Sequence, residues 1–236
     1  MLTPVRRRGV EFLDEADVDP DVRRQAQSDV ARSNRLLGGL RAALVEIRGA
    51  TEAIGAASTL LDVGTGLADI PQRAMAVAAR DGIVLTTIGV DGSPSLLVAA
   101  RGCVTHGVCA SAFALPFRDH SIDIVMCSQL LHHFDWTDAE HVLRELDRVA
   151  ARAVIISDLR RSWIAAAGFA LVANVLRFHR VTRHDGVVSV LRGFTSTELR
   201  ELVQRATGVT PKVRHRLGYR LTVRWAPRTG APVMTA

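Results

Sequence analysis

The sequence predicts an α/β domain with a doubly wound, mostly parallel sheet of seven strands, and three observations lead to this expectation. Short apolar runs typical of buried strands alternate with helical stripes along most of the chain. One such run, residues 58–63, passes through a glycine-rich turn directly into a helix. Two more strand-like runs follow each other near the C-terminal end, which is typical of an antiparallel hairpin. The 236 residues suffice for one such domain with additions rather than for two.

The composition is that of an ordinary soluble globular protein, with 48% hydrophobic and 23% charged residues. The net charge of +6 comes almost wholly from arginine, because Lys212 is the only lysine among 30 basic residues. The arginines are spread along the chain and are not interleaved with aromatic residues, which favours solvated faces over a nucleic-acid groove. We therefore expect no nucleic acid as a partner.

The cysteines and the N-terminal end indicate the compartment. Cys103, Cys109 and Cys127 lack the paired spacing of a disulfide framework or a zinc site, so we expect reduced, buried thiols and no metal. Residues 6–8 are arginines, but no apolar stretch follows them, so no secretory signal is expected. The sequence thus predicts a cytoplasmic protein without a membrane span, and it leaves the oligomeric state open.

Two helices are expected before the first strand. Asp19 is placed to cap a helix that begins at Pro20, where the fixed φ of proline suits the first helical position. Gly38 and Gly39 interrupt the helical pattern, and an apolar stripe then resumes over residues 40–49.

The turn after the first strand carries the residues that decide which ligand it suits. Gly64-Thr65-Gly66 lets the backbone approach a ligand, because glycine adopts positive φ at little cost and has no Cβ. A dinucleotide fingerprint requires glycine or alanine three residues past the second glycine, and Asp69 occupies that position. Asp69 and Asp62 would repel a pyrophosphate but attract a cationic ligand. A plain tight turn is the alternative.

The same residues form the pattern D-x-G-x-G, which resembles motif I of the class I methyltransferases. This resemblance implies S-adenosylmethionine as the cofactor, whose sulfonium and amino groups carry the positive charge. It also implies that Asp62, Gly64, Thr65 and Gly66 contact the cofactor.

The second strand, residues 83–90, is followed by an acidic residue, Asp91, about 25 residues beyond the glycine turn. A carboxylate at this place can accept hydrogen bonds from both ribose hydroxyls of a nucleoside. We therefore expect Asp91 and the adjoining Gly92 to contact the cofactor, with a helix cap as the alternative role of Asp91.

A third strand is expected at residues 105–109, and the segment after it carries the most specific pattern. Residues 110–125 resemble the run GDA-x-x-LPF-x-D-x-S-F-D-x-V of the ubiquinone/menaquinone-type and related small-molecule methyltransferases. Ser111 stands where that run has the aspartate that contacts adenine. A serine hydroxyl still accepts a hydrogen bond, but without charge assistance. We expect Ala112 and Phe113 to contribute backbone contacts and packing to the adenine.

Strand four, residues 122–127, ends next to Ser128, and the chain continues into Leu-His-His-Phe at residues 131–134. This too resembles the same family, where such a sequence borders the methyl-transfer site, and it implies that Ser128 contacts the cofactor. The resemblance covers roughly residues 55–160. It implies a Rossmann-like sheet with the N-terminal helices over the cofactor cleft. Asn34 and Arg35 are candidates to face that cleft, with a solvated arginine as the alternative.

The remaining elements complete the alternation. An apolar stretch of about sixteen residues, 163–178, is short for a membrane span of roughly 20. We expect a buried or lid helix that covers a hydrophobic acceptor, with plain core packing as the alternative. Thr195 and Glu198 form the capping box of a last helix. The other expected elements are a helix at 138–149, strand five at 153–159 and a hairpin at 210–217 and 219–225.

Together these features predict a single methyltransferase domain of class EC 2.1.1 that acts on a small, largely apolar acceptor. A phenol, a quinol or a polyketide aromatic of secondary metabolism, methylated on oxygen or carbon, fits this expectation. A general base is needed only if the acceptor must lose a proton. His133 is the first candidate and His184 the second, and His132 is a further candidate. The domain divides into cap helices (1–50), a cofactor-binding core (55–160), a lid and acceptor segment (161–194) and a C-terminal helix and hairpin (195–236).

Two alternatives stay open. A nucleic-acid-directed methyltransferase would use the basic charge, but residues 128–131 differ from the Pro-Pro-Tyr type of segment that holds a flipped base. A non-catalytic partner subunit with a methyltransferase fold is allowed by Ser111. Cofactor binding distinguishes the partner subunit from the enzyme, and the salt dependence of any nucleic-acid affinity tests the nucleic-acid enzyme.

Overall fold

The sheet has seven strands in the order β3-β2-β1-β4-β5-β7-β6, in a computed structural model that describes residues 3–7, 9–14 and 18–228. Strands β1 to β5 run parallel, and β7 pairs antiparallel with β5 and with β6. The doubly wound sheet and its antiparallel ending are therefore confirmed. The strands are β1 (Ala57–Val63), β2 (Val84–Asp91), β3 (His106–Cys109), β4 (Ile122–Ser128), β5 (Ala150–Leu159), β6 (Arg214–Arg216) and β7 (Arg220–Trp225).

Eight α-helices accompany the sheet in the described part of the chain. The Asp19 carboxylate accepts hydrogen bonds from the N–H groups of Asp21 and Val22, so the predicted cap is confirmed. Gly38, with φ of 81°, separates the first two helices as expected. The helices are α1 (Pro20–Leu36), α2 (Gly39–Ile54), α3 (Asp69–Arg80), α4 (Pro94–Ala99), α5 (Trp136–Val149), α6 (Trp163–Val175), α7 (Arg180–Arg192) and α8 (Ser196–Thr207).

Helices cover both faces of the sheet because successive strand residues point to opposite sides. Leu61 of β1 and Val125 of β4 are fully buried in a core that includes Leu146 of α5 and Leu199 of α8. Their neighbours in sequence, Leu60 and Ile124, lie in a second core with Ile47 of α2 and Ile70 of α3. Burial on both faces explains why the central strands β4 and β5 each carry a run of consecutive apolar residues.

Helix α7 was not predicted from the sequence. Its residues include several β-branched side chains and an interior Gly186, and no apolar stripe of helical period marks it. The helix forms because its last turns pack on α6 and on the end of β5, through Val190 and Leu191 against Ala166 and Leu159. Tertiary contact here outweighs local preference.

The expectation for the apolar stretch was a buried or lid helix, and the buried form is wrong for α6. Only Ala166 and Ala173 of its residues are buried, whereas Leu171 and Val175 are 67% and 70% exposed. The helix therefore has one packed side and one open apolar side. No helix in the described ranges is long and apolar enough to cross a membrane.

Candidate active site

A cavity of about 340 Å³ lies at the carboxyl ends of β1, β2 and β4. The strand order reverses between β1 and β4, and this is the place where open parallel sheets bind ligands. Its volume is at the lower end of the range of ligand pockets, about 300–1,000 Å³. Eight of the predicted site residues line it: Asp62, Gly64, Thr65, Gly66, Asp91, Ser128, His132 and His133.

The glycine turn presents its backbone to this cavity. Gly64 and Gly66 have φ of 76° and 54°, in the left-handed region that favours glycine. A Cβ on Gly64 would lie 2.9 Å from the Leu130 side chain, so a larger residue would collide as well as strain the backbone. The N–H groups of Gly64 and Thr65 both donate to the Val90 carbonyl of β2, at 2.8 and 2.9 Å. These two bonds fix the position of the glycine turn relative to the end of β2.

Two carboxylates in the cavity, those of buried Asp62 and partly buried Asp69, have unused oxygen atoms. Asp62 Oδ2 accepts a 2.9 Å bond from the Thr65 hydroxyl, but Asp62 Oδ1 and Asp69 Oδ2 have no hydrogen-bond partner within the described residues. Burial raises the pKa of Asp62 to about 7, and the nearby Asp69 and Asp91 carboxylates add to this rise. Burial also raises the pKa of Asp69. A cationic ligand group would satisfy both carboxylates.

Asp91 lines the cavity from the end of β2. Its Oδ2 accepts from the Gly66 N–H and its Oδ1 accepts from the Ser93 N–H, both at 2.9 Å. These bonds fix the carboxylate between the glycine turn and the start of α4. Because each carboxylate oxygen has a second lone pair, the group can still accept bonds from two ligand hydroxyls.

The predicted adenine contacts lie outside the residues that line the cavity. Ser111 is exposed, and its hydroxyl accepts a 3.2 Å bond from the Phe113 N–H. The Phe113 ring packs edge-on against Phe134, at a centroid distance of 5.0 Å. Phe134 does line the cavity, whereas Gly92 and Ala112 do not. The role of these residues toward a cofactor stays a prediction.

His132 is the buried histidine of the cavity wall. Its Nδ1 lies 2.7 Å from Asp158 Oδ1, and its N–H donates to Asp158 Oδ2 at 3.3 Å. Both side chains are almost inaccessible to solvent. Burial alone would raise the pKa of Asp158, but the facing His132 imidazole outweighs this and holds that pKa below its usual value. A carboxylate that fixes Nδ1 leaves Nε2 as the basic nitrogen of the ring.

His133 stacks on His132 at a centroid distance of 4.4 Å, and its Nδ1 lies 3.7 Å from the Glu11 carboxylate. Ligating atoms of Glu11, His132 and His133 lie within 4.8 Å of one another, as in a candidate site for a divalent cation. However, the Arg192 guanidinium lies 3.3 Å from Glu11, and Arg192 and Arg6 both donate to the His132 carbonyl. Two guanidinium charges at this distance oppose a dication, so the group suits proton transfer better than metal binding.

His184, the third candidate base, does not line the cavity. Its ring is about half exposed and bonds through Nδ1 to Asp185 at 2.8 Å. Asp185, by contrast, lines the cavity and accepts from the N–H groups of Phe12 and Leu13, at 3.1 and 3.0 Å. These bonds tie the N-terminal segment, residues 9–14, over the cavity.

Sequence reasoning missed a polar group in the cavity wall that is formed by α1, β7 and the residue after β4. Arg220 of β7 is buried and donates to Gln129 Oε1 at 2.8 Å, and the Gln129 amide donates to Asn34 of α1. Burial lowers the pKa of Arg220 to about 10. Asn34 lines the cavity as expected, but Arg35 does not. The partners lie far apart in the chain, so no local spacing could have indicated Arg220 or Gln129.

Comparison with known proteins relates the central part of this chain to a family. The profile of a methyltransferase domain family matches residues 61–156. An uncharacterized methyltransferase-like protein of Schizosaccharomyces pombe is 31% identical over 94 residues, which are 39% of this chain and 34% of that protein. The chain thus aligns with about a third of the length of this curated relative.

Solved structures share the architecture at low identity. Human N-acetylserotonin methyltransferase in complex with S-adenosylmethionine superposes with a TM-score of 0.60 at 12% identity, over 90% of this chain and 57% of that chain. Magnesium protoporphyrin IX methyltransferase from Synechocystis, with bound S-adenosylmethionine, gives 0.56 at 12% identity, over 90% and 99% of the two chains. Residues 61–156 thus match a methyltransferase domain family, and the sheet order and these neighbours show that the chain has the fold of S-adenosylmethionine-dependent methyltransferases.

Proposed function

We propose that this protein binds S-adenosylmethionine in the cavity and transfers its methyl group to a small, largely apolar acceptor that carries a hydroxyl group. The charged and hydroxyl groups of this cofactor match hydrogen-bonding positions of the cavity that have no partner among the described residues. The unpartnered oxygens of Asp62 and Asp69 suit a cationic ligand, and Asp91 has free lone pairs for two ribose hydroxyls. A pyrophosphate would meet carboxylates at the same places and would be repelled.

The other side of the cavity suits an apolar acceptor. Phe134, Phe169 and Val190 line it together with Leu13 and Leu159. Polar residues, among them Thr182, Asp185 and Ser189, line the same cavity. Apolar walls with a few polar groups that fix orientation are typical of sites for small organic molecules. This distribution supports a phenol, a quinol or a polyketide aromatic as the acceptor.

The observation that carries the proposal is the buried pair of His132 and Asp158 in the wall of the same cavity. When bound, S-adenosylmethionine supplies an electrophilic methyl group for an in-line displacement, and holding the acceptor in line provides much of the rate. Asp158 holds the His132 ring through Nδ1, so Nε2 can take the proton of the acceptor hydroxyl. Asp158 then stabilises the imidazolium. This role makes His132, and not His133, the first candidate for the proton acceptor, which reverses the expectation from sequence.

The test is methyl transfer from radiolabelled S-adenosylmethionine to a panel of phenols and hydroquinones. We expect His132→Ala to lower turnover by about 10² to 10⁴ without weakening cofactor binding. Asp158→Asn should lower turnover too and change its pH profile, because the ring would lose its fixed tautomer. The control is His106→Ala, at an exposed histidine of β3. Full turnover by the His132→Ala variant would contradict the assigned role.

The same panel tests the alternatives. Cofactor binding without transfer to any phenol or hydroquinone would favour another acceptor class. Absence of cofactor binding by the folded protein would refute the proposed function and favour the non-catalytic partner subunit.

A further inference from the structure

The exposed side of α6 is a continuous apolar face. Its most exposed positions recur with helical spacing and lie along one side of the helix. The only polar member of this set is Asn174. We call these residues the α6 face: Trp163, Ile164, Ala167, Gly168, Leu171, Asn174 and Val175. Monomeric soluble proteins rarely expose large contiguous apolar patches, so a face of this kind indicates a partner.

Arginines border the α6 face at both ends. The Arg7 guanidinium lies 5.1 Å from the centre of the Trp163 ring at the first turn. At the other end, Arg183 donates to the Asn174 side chain at 2.9 Å, and the exposed Arg177 and Arg180 follow the helix directly. Asp185 is the only acidic residue between positions 159 and 197. It is buried under the N-terminal segment. Asp29 of α1, which accepts from His179 and Thr182, is buried as well, so the exposed charges described at the border of the face are positive.

The opposite side of the same helix belongs to the cavity wall. Phe169 of α6 lines the cavity, together with Gly186 and Val190 of α7. A Cβ on Gly186 would lie 2.1 Å from the Phe169 ring, so α6 and α7 approach closely there. One helix thus separates the acceptor side of the cavity from the exposed apolar face.

We propose that the α6 face docks this protein onto the surface of a membrane rich in anionic phospholipid. An apolar helix side flanked by cationic residues inserts among lipid acyl chains while its arginines contact the headgroups. Tryptophan at the edge of such a side suits the membrane interface. Apolar residues alone would equally suit a second copy of the chain, but the arginines at both ends of the face would then repel their counterparts nearby. Charge complementarity therefore favours the lipid surface.

Docking would bring the apolar side of the cavity close to lipid-soluble acceptors, an extension that rests on the proposed function. The docking itself is independent of methyl transfer. A binding assay without acceptor therefore tests it separately.

The experiment is flotation of the full chain with vesicles of phosphatidylcholine alone and of equal parts phosphatidylcholine and phosphatidylglycerol. We expect strong binding to the anionic vesicles and weak binding to the neutral ones. Leu171→Glu combined with Val175→Glu should lower the affinity about tenfold or more, because charges replace inserted apolar groups. The control is Val45→Glu, at an exposed apolar residue of α2. It should bind as the wild type does.

Arginine variants test the electrostatic part. Arg177→Gln and Arg180→Gln should each weaken binding to anionic vesicles about fivefold, whereas Arg200→Gln on α8 should not. Thermal unfolding and cofactor binding of each variant show that it is folded. Equal binding of wild type and Leu171→Glu/Val175→Glu to anionic vesicles would overturn the proposal. A second outcome would also overturn it: the wild type does not bind vesicles but forms a dimer in light scattering, and the same two substitutions dissociate that dimer.

Discussion

We expect Asp62 to make the affinity for S-adenosylmethionine depend on pH, because its carboxyl is buried in the cavity beside two other carboxylates. In the free protein burial raises its pKa to about 7, so the carboxyl is largely protonated in mild acid. A cationic cofactor group favours the ionised form, and binding therefore releases a proton. Affinity should fall as the pH drops below about 7. Between about pH 8 and about pH 5 the loss should approach a hundredfold, if the bound carboxyl stays ionised throughout.

The assay is titration calorimetry over this pH range in two buffers of different ionisation enthalpy, which together measure the proton released. Asp62→Asn is the comparison, because its amide cannot ionise. This variant should bind weakly at about pH 8 and should show little of the pH dependence. Any titration of the cofactor itself appears in both proteins and cancels in the comparison.

The same carboxyl affects stability with a defined sign. Its pKa in the folded protein lies above that in the unfolded chain, so the stabilisation is present below about pH 4 and is lost as the pH rises to about 7. At about pH 8 the unliganded Asp62→Asn variant should therefore be more stable than the wild type, by up to about 4 kcal/mol. Identical pH profiles of affinity in the two proteins would refute the reasoning, because no proton would then be coupled to Asp62.

Three further substitutions test other parts of the structure. Asp91→Ala should weaken the binding of S-adenosylmethionine about tenfold or more, since hydrogen bonds to a charged group contribute about 1.5–3 kcal/mol. Calorimetry on the folded variant measures this affinity. Unchanged affinity would argue against the contact between Asp91 and the ribose. Ser111→Asp should tighten cofactor binding if Ser111 faces the adenine amino group, because the acceptor would become ionised; weaker binding would indicate another loop geometry. Thr195→Ala should lower the free energy of unfolding by about 1 kcal/mol in a urea titration, because the side chains of Thr195 and Glu198 each accept a bond from the other's backbone N–H at the start of α8. Ser196→Ala is the control, because it leaves this capping box in place.

Local signals account for most of the fold and for half of the site. The glycine turn with Asp62 and the strand end at Asp91 were predicted because each is a short pattern whose chemistry lies within a few residues. Helix α7 was missed because its residues neither repeat with helical period nor favour a helix. Asp158 and Arg220 were missed because their functional neighbours, His132 and Gln129, are distant in sequence and meet only in the folded sheet.

The two hydrogen bonds from residues 12 and 13 to Asp185 have a kinetic consequence. Because Glu11 and Leu13 of this segment line the cavity, we expect detachment of the segment to limit the exchange of ligands. Turnover would then be limited by product departure, with a fast first round of methylation followed by a slower steady rate. Asp185→Asn, which weakens the two bonds, should shorten the residence time of S-adenosylhomocysteine and raise the steady rate while leaving the first round unchanged. Amide hydrogen exchange at Phe12 and Leu13 would report the same opening directly.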